Sequence, residues 1–144
     1  MKELENKPSF SFVVPTYNAS YYLERGLKSI RDQDYPPEKI EILVIDGGSN
    51  DTTLDIAKRY NCRILENPRR LAEYGVQIGV LNAKGDLLVI FASDNELPSP
   101  EWANTVIKPF IYDKDIAAVW GRIVASKDSP PLNKYFALIQ NDPL

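Results

Sequence analysis

Residues 40–60 read IEILVIDGGSNDTTLDIAKRY, and the predicted architecture depends on the pattern within them. The run from Ile40 to Ile45 is apolar and β-branched, which is typical of a strand buried on both faces. A glycine-rich turn, DGGSND, follows the strand. Thr52 to Tyr60 is then predicted to form a short helix with Asn50 or Asp51 near its N-cap. A buried strand that leads through a tight turn into a helix favours a parallel sheet.

The same alternation recurs along the chain. Leu23, Leu27 and Ile30 stand at spacings of four and three residues, which indicates an amphipathic helix. Alternating strands and helices predict βαβ units, a mostly parallel open sheet flanked by helices, and right-handed crossovers, which is an α/β fold. The predicted strands are 10–14, 40–45, 63–65, 87–91 and 117–124, and the predicted helices are 20–31, 52–60, 71–82 and 100–112, the last broken near Pro109.

Two expectations concern which side chains are buried. The helix at 71–82 is expected to turn Val76 and Val80 inward, although Gly75 and Gly79 each lower its stability by about 1 kcal/mol. The run LLVIF at 87–91 is expected to form a strand buried on both faces.

The length of 144 residues suits a single domain, 1–144, with enough surface to bury a core. Residues 1–9 are polar and are expected to be flexible. Apolar residues at 135–139 need a partner that the chain does not evidently supply. We therefore expect an N-terminal fragment of a longer protein that continues past Leu144.

The composition excludes several classes of site. The chain has no histidine, so Ser-His-Asp and Cys-His catalytic arrangements and histidine metal sites are absent, and its single cysteine cannot form an internal disulfide. Any metal would have oxygen ligands, which favours Mg²⁺, Mn²⁺ or Ca²⁺. The net charge of -3 does not favour nucleic acid as a partner. The N-terminus does not resemble a signal peptide and no run of 18 apolar residues occurs, which predicts a cytoplasmic location.

Polar residues follow the predicted strands at the edge where ligands bind in an open parallel sheet. This edge gathers an aromatic ring, two carboxylates and two arginines. The combination suits a nucleotide, because a ring can stack on the base, a carboxylate can accept its N–H, a second carboxylate can hold a metal, and guanidinium groups can bind phosphate. The four strands in order are followed by Pro15-Thr16-Tyr17-Asn18, Asp46-Gly47-Gly48-Ser49, Glu66-Asn67-Pro68-Arg69-Arg70 and Ser93-Asp94-Asn95.

Each motif alone also has a structural interpretation. The first could simply end a strand, the second could be a tight turn with a helix cap, and Asp94-Asn95 could cap the next helix. Arg69 and Arg70 could be solvated surface charges. The order of the motifs and their shared edge favour a common site. Because no G-x-G-x-x-G follows a strand and no G-x-x-x-x-G-K-[ST] is present, neither a dinucleotide fold nor a P-loop is supported.

These motifs resemble the family 2 glycosyltransferases, which have the GT-A fold. The resemblance covers about residues 9–125. The matching stretches, in order, are Pro15-Thr16-Tyr17-Asn18, Asp46-Gly47-Gly48-Ser49-Asn50-Asp51-Thr52-Thr53, Gly79 with Ala83-Lys84-Gly85-Asp86, and Ala92-Ser93-Asp94-Asn95.

The resemblance implies roles for individual residues in binding a nucleoside-diphosphate sugar. Thr16 and Tyr17 would cradle the base, together with the flanking Pro15 and Asn18. Asp46 in its turn with Gly48 would accept a base N–H such as uracil N3–H. Arg69 or Arg70 would lie near the diphosphate, Ser93 would offer a hydroxyl toward the ribose, and Asp94 would hold a divalent metal, Mg²⁺ or Mn²⁺.

The sequence departs from the family's pattern in three places. Gly47 stands where the second acid of Asp-Asp-Gly-Ser is usual, and Ala92 stands where the first acid of Asp-x-Asp is usual. Gly75-Val76-Gln77 replaces the Ala-Arg-Asn of many members. The family's catalytic base, usually an aspartate, lies in the second half of the protein, so the resemblance implies no catalytic residue within this chain and a base beyond Leu144.

The expected function is transfer of a hexose from a UDP-sugar to a hydroxyl of a sugar, glycan or lipid-linked acceptor, with inversion. A catalytically inactive nucleotide-sugar-binding module is the first alternative, and a sugar-1-phosphate nucleotidyltransferase is the second. Membrane association through a missing C-terminal region, at the cytoplasmic face, and a homo-oligomer are left open.

Overall fold

The computed structural model describes residues 7–121 and 124–125. The chain divides into two compact units after Ile107. A short 3₁₀ turn, Pro37–Lys39, precedes the second strand. The strands are β1 Phe10–Thr16, β2 Ile40–Asp46, β3 Arg63–Glu66 and β4 Leu87–Ile90, and the helices are α1 Ser20–Arg31, α2 Thr53–Arg59, α3 Ala72–Asn82, α4 Trp102–Val106 and α5 Lys108–Tyr112.

The strands form one parallel sheet in the order β3-β2-β1-β4. Thr16 is in register with Asp46, and Asp46 with Glu66. The carboxyl ends of the first three strands therefore lie side by side, and the predicted α/β fold with an open parallel sheet is confirmed. These strands run one or two residues past their predicted ends, because ladder hydrogen bonds continue into the polar residues.

Helices cover both faces of the sheet. The larger cluster has Phe10, Phe12 and Val14 of β1 packed with Leu23 and Leu27 of α1, and all five side chains are at most 1% exposed. The smaller cluster, on the other face, contains Val13, Leu43 and Ile45. Because the two clusters hold alternate residues of β1 and β2, both strands are buried on both faces, as their continuous apolar runs predict.

Helix α3 contacts the sheet through glycines, so the expectation that Val80 faces inward is wrong. Gly75 and Gly79 are the buried residues of this helix, while Val80 is 41% exposed and Val76 is partly buried. A Cβ atom on Gly79 would lie 2.2 Å from Cγ1 of Val13. The helix lies too close to the sheet for any side chain at that position.

Among the described strands β4 lies at the edge of the sheet, and it is not buried on both faces, which corrects a second expectation. Leu88 is 46% and Ile90 is 53% exposed, while Leu87 and Val89 pack against the larger cluster. An unbroken apolar run therefore does not distinguish a central strand from an edge strand.

The predicted helix at 100–112 is divided into α4 and α5 at Ile107, two residues before Pro109. Residues 117–121 and 124–125 have no regular secondary structure, so the strand predicted at 117–124 is wrong for the residues described there. The expectations for residues 1–6 and 135–139 fall outside the described residues. Among the helices described, none is long and apolar enough to cross a membrane.

Candidate nucleotide-binding site

The loops that follow β1 and β2 are joined by hydrogen bonds. The backbone amide of Asn18 donates to Oγ of Ser49 at 2.8 Å, and that of Asn50 donates to Oδ1 of Asn18 at 2.9 Å. The amide of Gly47 donates to the carbonyl of Thr16 at 2.8 Å. Asn18 has φ 49°, a left-handed conformation that asparagine tolerates better than most residues. The two loops therefore form one ledge at the end of the sheet.

The exposed side chain of Asp51 links the first residues of α1 and α2. Its Oδ1 accepts the amide of Thr53 at 2.9 Å and its Oδ2 accepts that of Ser20 at 3.2 Å. The Thr53 hydroxyl in turn accepts the amide of Ala19 at 2.8 Å. Hydrogen bonds from Thr53, followed by those from Ser20, hold the pKa of Asp51 well below its ordinary value. One carboxylate thus satisfies donors at the N-termini of both α1 and α2, where unpaired amides accumulate.

Asp46 ends β2 and is 7% exposed. Its Oδ2 accepts the amides of Gly48 and Ser49, both at 2.9 Å, and its Oδ1 accepts the hydroxyl of Ser49. Gly48 has φ 83°, which favours glycine in this turn. Each carboxylate oxygen has two lone pairs, so Oδ1 retains one acceptor position for a further donor.

Tyr17 and Arg70 come together above this turn. The guanidinium carbon of Arg70 lies 5.3 Å from the centroid of the Tyr17 ring, which is within cation–π range. A Cβ on Gly48 would be 3.4 Å from Nη2 of Arg70, and a Cβ on Gly47 would be 3.3 Å from Cδ2 of Tyr17. The two glycines therefore let the ring and the guanidinium group lie close to the backbone of the turn.

The two predicted arginines differ in their surroundings. Arg69 lies over the ring of Tyr74 in α3, 4.4 Å from its centroid. Arg70 has φ 56°, a strained conformation for this residue. Backbone strain persists where the surrounding structure enforces it, and it is concentrated at functional sites. The two distances show that Arg70 lies beside Tyr17, whereas Arg69 lies beside Tyr74.

Two buried polar atoms at this edge have no hydrogen-bond partner among the described residues. They are Oγ1 of Thr16 and Oδ1 of Asn67. Asn67 was not singled out from the sequence, yet its amide donates to the carbonyl of Asp46 at 2.7 Å and its Nδ2 to the carbonyl of Leu71 at 2.9 Å. An asparagine directly after a strand is the signal that would have pointed to it. Pro15 packs beneath this region, 3.0 Å from where a Cβ on Gly75 would lie.

Asp94 lies in the turn that follows β4. The amide of Asn95 donates to the carbonyl of Ala92 at 3.0 Å, which places Ser93 and Asp94 at the tip of the turn. Asp94 is exposed. Within the described part of the chain its carboxylate has neither a hydrogen bond nor an ion pair, so both oxygens can bind a cation.

The oxygen donors of this turn fit a small divalent cation. Serine, aspartate and asparagine offer the hard ligands that Mg²⁺ and Mn²⁺ prefer. No group of three or more acidic, histidine or cysteine side chains that could hold a metal occurs among residues 7–121 and 124–125. A single carboxylate is sufficient when phosphate oxygens and water complete the coordination, as is usual for Mg²⁺.

The Ala83-Lys84-Gly85-Asp86 motif lies away from this site. Oδ2 of Asp86 accepts the amide and the hydroxyl of Ser9, at 2.8 and 2.7 Å, just before β1 begins. These two hydrogen bonds lower the pKa of Asp86. A Cβ on Gly85 would lie 2.6 Å from the backbone of Phe10 and Ser11. This motif therefore anchors the start of the central strand.

Known proteins are similar to this chain in sequence or in structure. One relative in sequence comes from Methanococcus voltae and is 38% identical over 90 residues, which are 58% of this chain and 28% of that protein. It is a dolichyl N-acetyl-alpha-D-glucosaminyl phosphate 3-beta-D-2,3-diacetamido-2,3-dideoxy-beta-D-glucuronosyltransferase. The mannosyltransferase PcManGT of Pyrobaculum calidifontis, solved with GDP-Man and Mn²⁺, superposes with a TM-score of 0.67 at 28% identity over 72% of this chain and 32% of that chain.

TarS 1-349 of S. aureus, solved with UDP, superposes with a TM-score of 0.62 at 26% identity over 72% of this chain and 33% of that chain. The chain thus spans about a third of the length of each of these three proteins. These neighbours confirm the GT-A fold. Residues 11–139 match the family described as glycosyl transferase family 2. The chain therefore belongs to the family 2 glycosyltransferases.

Proposed function

We propose that this chain is the donor-binding part of a glycosyltransferase that uses a nucleoside-diphosphate sugar, with uridine preferred, and a divalent metal. The observation that carries the proposal is the convergence of Tyr17, Asp46 and Arg70 at the ends of three adjacent strands, with Asp94 following the fourth strand at the same edge. The complexes of similar proteins with GDP-Man and Mn²⁺ and with UDP support it.

The base would bind at Tyr17, whose side chain is half-exposed at the edge of the ledge. The planar guanidinium of Arg70 lies over this ring. A guanidinium group both stacks on flat rings and forms paired hydrogen bonds with phosphate oxygens. Arg70 is therefore the arginine that we assign to the diphosphate, while Arg69 remains on Tyr74.

Selection of the base would fall to Asp46. The remaining lone pair of its Oδ1 can accept one N–H, as uracil N3–H offers. Guanine also presents an N–H donor, so a GDP-sugar is the alternative donor that this acceptor allows. The buried Oγ1 of Thr16, which has no hydrogen-bond partner within the described part of the chain, is a further polar group near the end of β1.

The metal would bind at Asp94, with phosphate oxygens as its other ligands and Ser93 near the ribose. A divalent cation neutralises the diphosphate, so that the nucleoside diphosphate can leave as the sugar is transferred. An inverting transfer also needs a general base that deprotonates the acceptor hydroxyl. We assign this base, and the binding of a glycan or lipid-linked acceptor, to a part of the enzyme beyond the residues described.

A second candidate function is a nucleotide-sugar-binding module without turnover. Gly47 and Ala92 favour it, since each replaces an acid that is usual in the family. The two functions differ in one measurement, which is hydrolysis of the sugar donor by a longer form of the protein that contains this chain. Release of free sugar supports the enzyme, whereas binding without release supports the module.

The proposed donor is tested by calorimetry of the 144-residue chain with UDP, GDP, ADP and CDP and the corresponding sugars, in Mn²⁺, in Mg²⁺ and in EDTA. We expect UDP and its sugars to bind most tightly and EDTA to weaken the diphosphates more than uridine. An equal response to every nucleotide, or no response, contradicts the proposal.

A further inference from the structure

Helix α1 approaches the loop that carries Asp94 through a glycine. Gly26 is buried in the middle of α1, where glycine costs about 1 kcal/mol relative to alanine. A Cβ atom on Gly26 would lie 2.7 Å from the carbonyl oxygen of Asn95 and 3.3 Å from the ring of Phe91. Real Cβ atoms do not approach a backbone oxygen so closely. Glycine is therefore required for the helix to pack against the residue that follows Asp94.

Ser29, one turn further along α1, links the same two segments. Its hydroxyl donates to the carbonyl of Gly26 at 2.7 Å and accepts the amide of Leu97 at 2.9 Å. Gln33, two residues beyond the end of α1, continues this contact, because its Nε2 donates to the carbonyl of Ser99 and its Oε1 accepts the amide of Ala103, both at 2.9 Å. The second half of α1 and the residues just after it thus hold the backbone on the C-terminal side of Asp94.

The N-terminal side of the turn is held by the sheet. The amide of Phe91 donates to the carbonyl of Val13 at 2.9 Å, which is the last ladder bond of this strand pair in the described part of the chain. Asp94 lies between this bond and the contact of Asn95 with Gly26, and its own side chain contacts no described partner. The anchors on either side therefore hold the backbone from which the Asp94 side chain extends.

We propose that Gly26 and Ser29 are positioning residues that fix the Asp94 turn and thereby set the affinity of the site for a divalent cation. The inference rests on the proposed function, because it takes Asp94 as the cation ligand. Neither Gly26 nor Ser29 is proposed to touch the nucleotide or the cation. The Asn95 carbonyl belongs to the peptide between Asn95 and Glu96, so displacing it moves the backbone of Asn95, which is bonded directly to Asp94. Substitutions at residues that only support a metal ligand change metal affinity by about 10–100-fold.

The test uses the 144-residue chain with Gly26→Ala, Ser29→Ala and the conservative Ser29→Thr, which keeps the hydroxyl. Free Mn²⁺ is measured by electron paramagnetic resonance in the presence of saturating UDP, and uridine affinity is measured by calorimetry. We expect Gly26→Ala and Ser29→Ala to weaken Mn²⁺ binding by about tenfold or more. Ser29→Thr should stay near the unsubstituted chain, and uridine affinity should not change in any of the three.

Gly75→Ala is the matched control. It also adds a methyl group to a buried helical glycine, but against Pro15 and Asn67 on the other face of the sheet. We expect it to leave Mn²⁺ affinity at saturating UDP unchanged. A loss of Mn²⁺ affinity as large as that of Gly26→Ala would indicate a general effect of crowding and would overturn the inference.

Two further measurements separate this inference from the proposed function. If Asp94→Ala abolishes the Mn²⁺-dependent binding while Gly26→Ala and Ser29→Ala do not weaken it, the positioning role is wrong and the metal site stands. If Asp94→Ala leaves Mn²⁺ binding intact, the proposed metal site is wrong, and the inference fails with it.

Nuclear magnetic resonance without any ligand tests the positioning directly. Gly26→Ala should shift the amide resonances of residues 92–97 but not those of 46–49. Unshifted amides of Asp94 and Asn95 would also overturn the inference.

Discussion

The guanidinium group of Arg70 lies over the ring of Tyr17, with 5.3 Å between the guanidinium carbon and the ring centroid. The two residues follow β3 and β1, which are separated in the sheet by β2. Gly47 and Gly48 follow β2 and carry no side chains, and an added Cβ would lie 3.3 Å from the Tyr17 ring or 3.4 Å from the Arg70 guanidinium group, respectively. The ring that we propose for the base and the cation that we propose for the phosphates are thereby brought together across three strands.

Replacing Arg70 should weaken binding of the diphosphate more than binding of the nucleoside. Hydrogen bonds to charged groups contribute about 1.5–3 kcal/mol. We therefore expect Arg70→Ala to lower UDP affinity by that amount, measured by calorimetry, with a smaller effect on uridine. Arg70→Lys should recover part of the loss, because lysine keeps the charge but not the planar fork.

Arg69→Ala is the matched control for Arg70. Its guanidinium lies over Tyr74 of α3, so its loss should leave UDP affinity close to that of the unsubstituted chain. If Arg69→Ala weakens UDP binding as much as Arg70→Ala, the assignment of the phosphate partner to Arg70 is wrong.

Asp94→Asn should remove the metal-dependent part of UDP binding and leave uridine binding unchanged. Asparagine is nearly isosteric but lacks the charge that attracts the cation. The matched control is Glu96→Gln, because Glu96 is an exposed carboxylate of the same loop that already pairs with Arg25 at 2.6 Å. Titrations of UDP and of uridine, each with Mn²⁺ and with EDTA, provide the comparison. If Asp94 served only to cap the next helix, Asp94→Asn would leave the difference between Mn²⁺ and EDTA intact.

Local sequence patterns were sufficient to predict the four strands of the sheet and the polar residues that follow them, although not to exclude a strand at 117–124. A run such as IEILVI is too apolar for anything but a buried element, and DGGSND cannot continue a strand. In a parallel sheet the polar residues after each strand then necessarily reach the same edge. The role of Asp51 near the N-terminus of α2 was predictable for the same reason, because the pattern is local.

Contacts between distant segments could not be predicted in this way. Val80 is apolar and was therefore expected to face the sheet, but Gly79 faces it instead. The reason is the short distance between α3 and β1, which tertiary packing sets and local sequence does not show. The bond from Ser20 to Asp51 depends on the neighbouring strand. The exposure of Leu88 and Ile90 depends on what lies beside β4, about which hydrophobic periodicity contains no information.

The ionised Asp51 should make stability depend on pH in the acidic range. Its pKa in the folded chain lies below the unfolded value of about 3.9. A depressed pKa means that the carboxylate stabilises the fold above the unfolded pKa and that this contribution is lost as the pH falls through the folded pKa. The difference in free energy of unfolding between the unsubstituted chain and Asp51→Asn should therefore be largest near neutral pH and shrink below about pH 4.

Urea unfolding of both chains across the acidic range measures this difference. Asp86 and Glu41 also have lowered pKa values, so the unsubstituted chain alone cannot isolate Asp51. Subtracting the curve of Asp51→Asn removes their shared contribution. A gap that stays constant from neutral to acidic pH would show that the charge of Asp51 does not stabilise the two helix starts.

Gly79→Ala should destabilise the fold even though alanine is the better helix former. The substitution gains about 1 kcal/mol of helix propensity. Its methyl group would lie 2.2 Å from Cγ1 of Val13 and 3.1 Å from Cδ1 of Ile45, and both side chains are fully buried. Val13 is stiff at χ1 and lies in a central strand, so α3 has to move. Overpacking of this kind costs about 1–3 kcal/mol, and we expect a net loss of stability.

Gly121→Ala is the control, because a Cβ there meets no atom of the described residues within 4 Å. Its free energy of unfolding should stay within about 0.5 kcal/mol of the unsubstituted chain. The double variant Gly79→Ala with Val13→Ala tests the cause, since removing the Val13 methyl groups makes room for the new one. We expect the two substitutions together to cost less than their sum in a double-mutant cycle measured by urea unfolding. Additive costs would mean that the close approach of α3 to Val13 does not explain why position 79 is glycine.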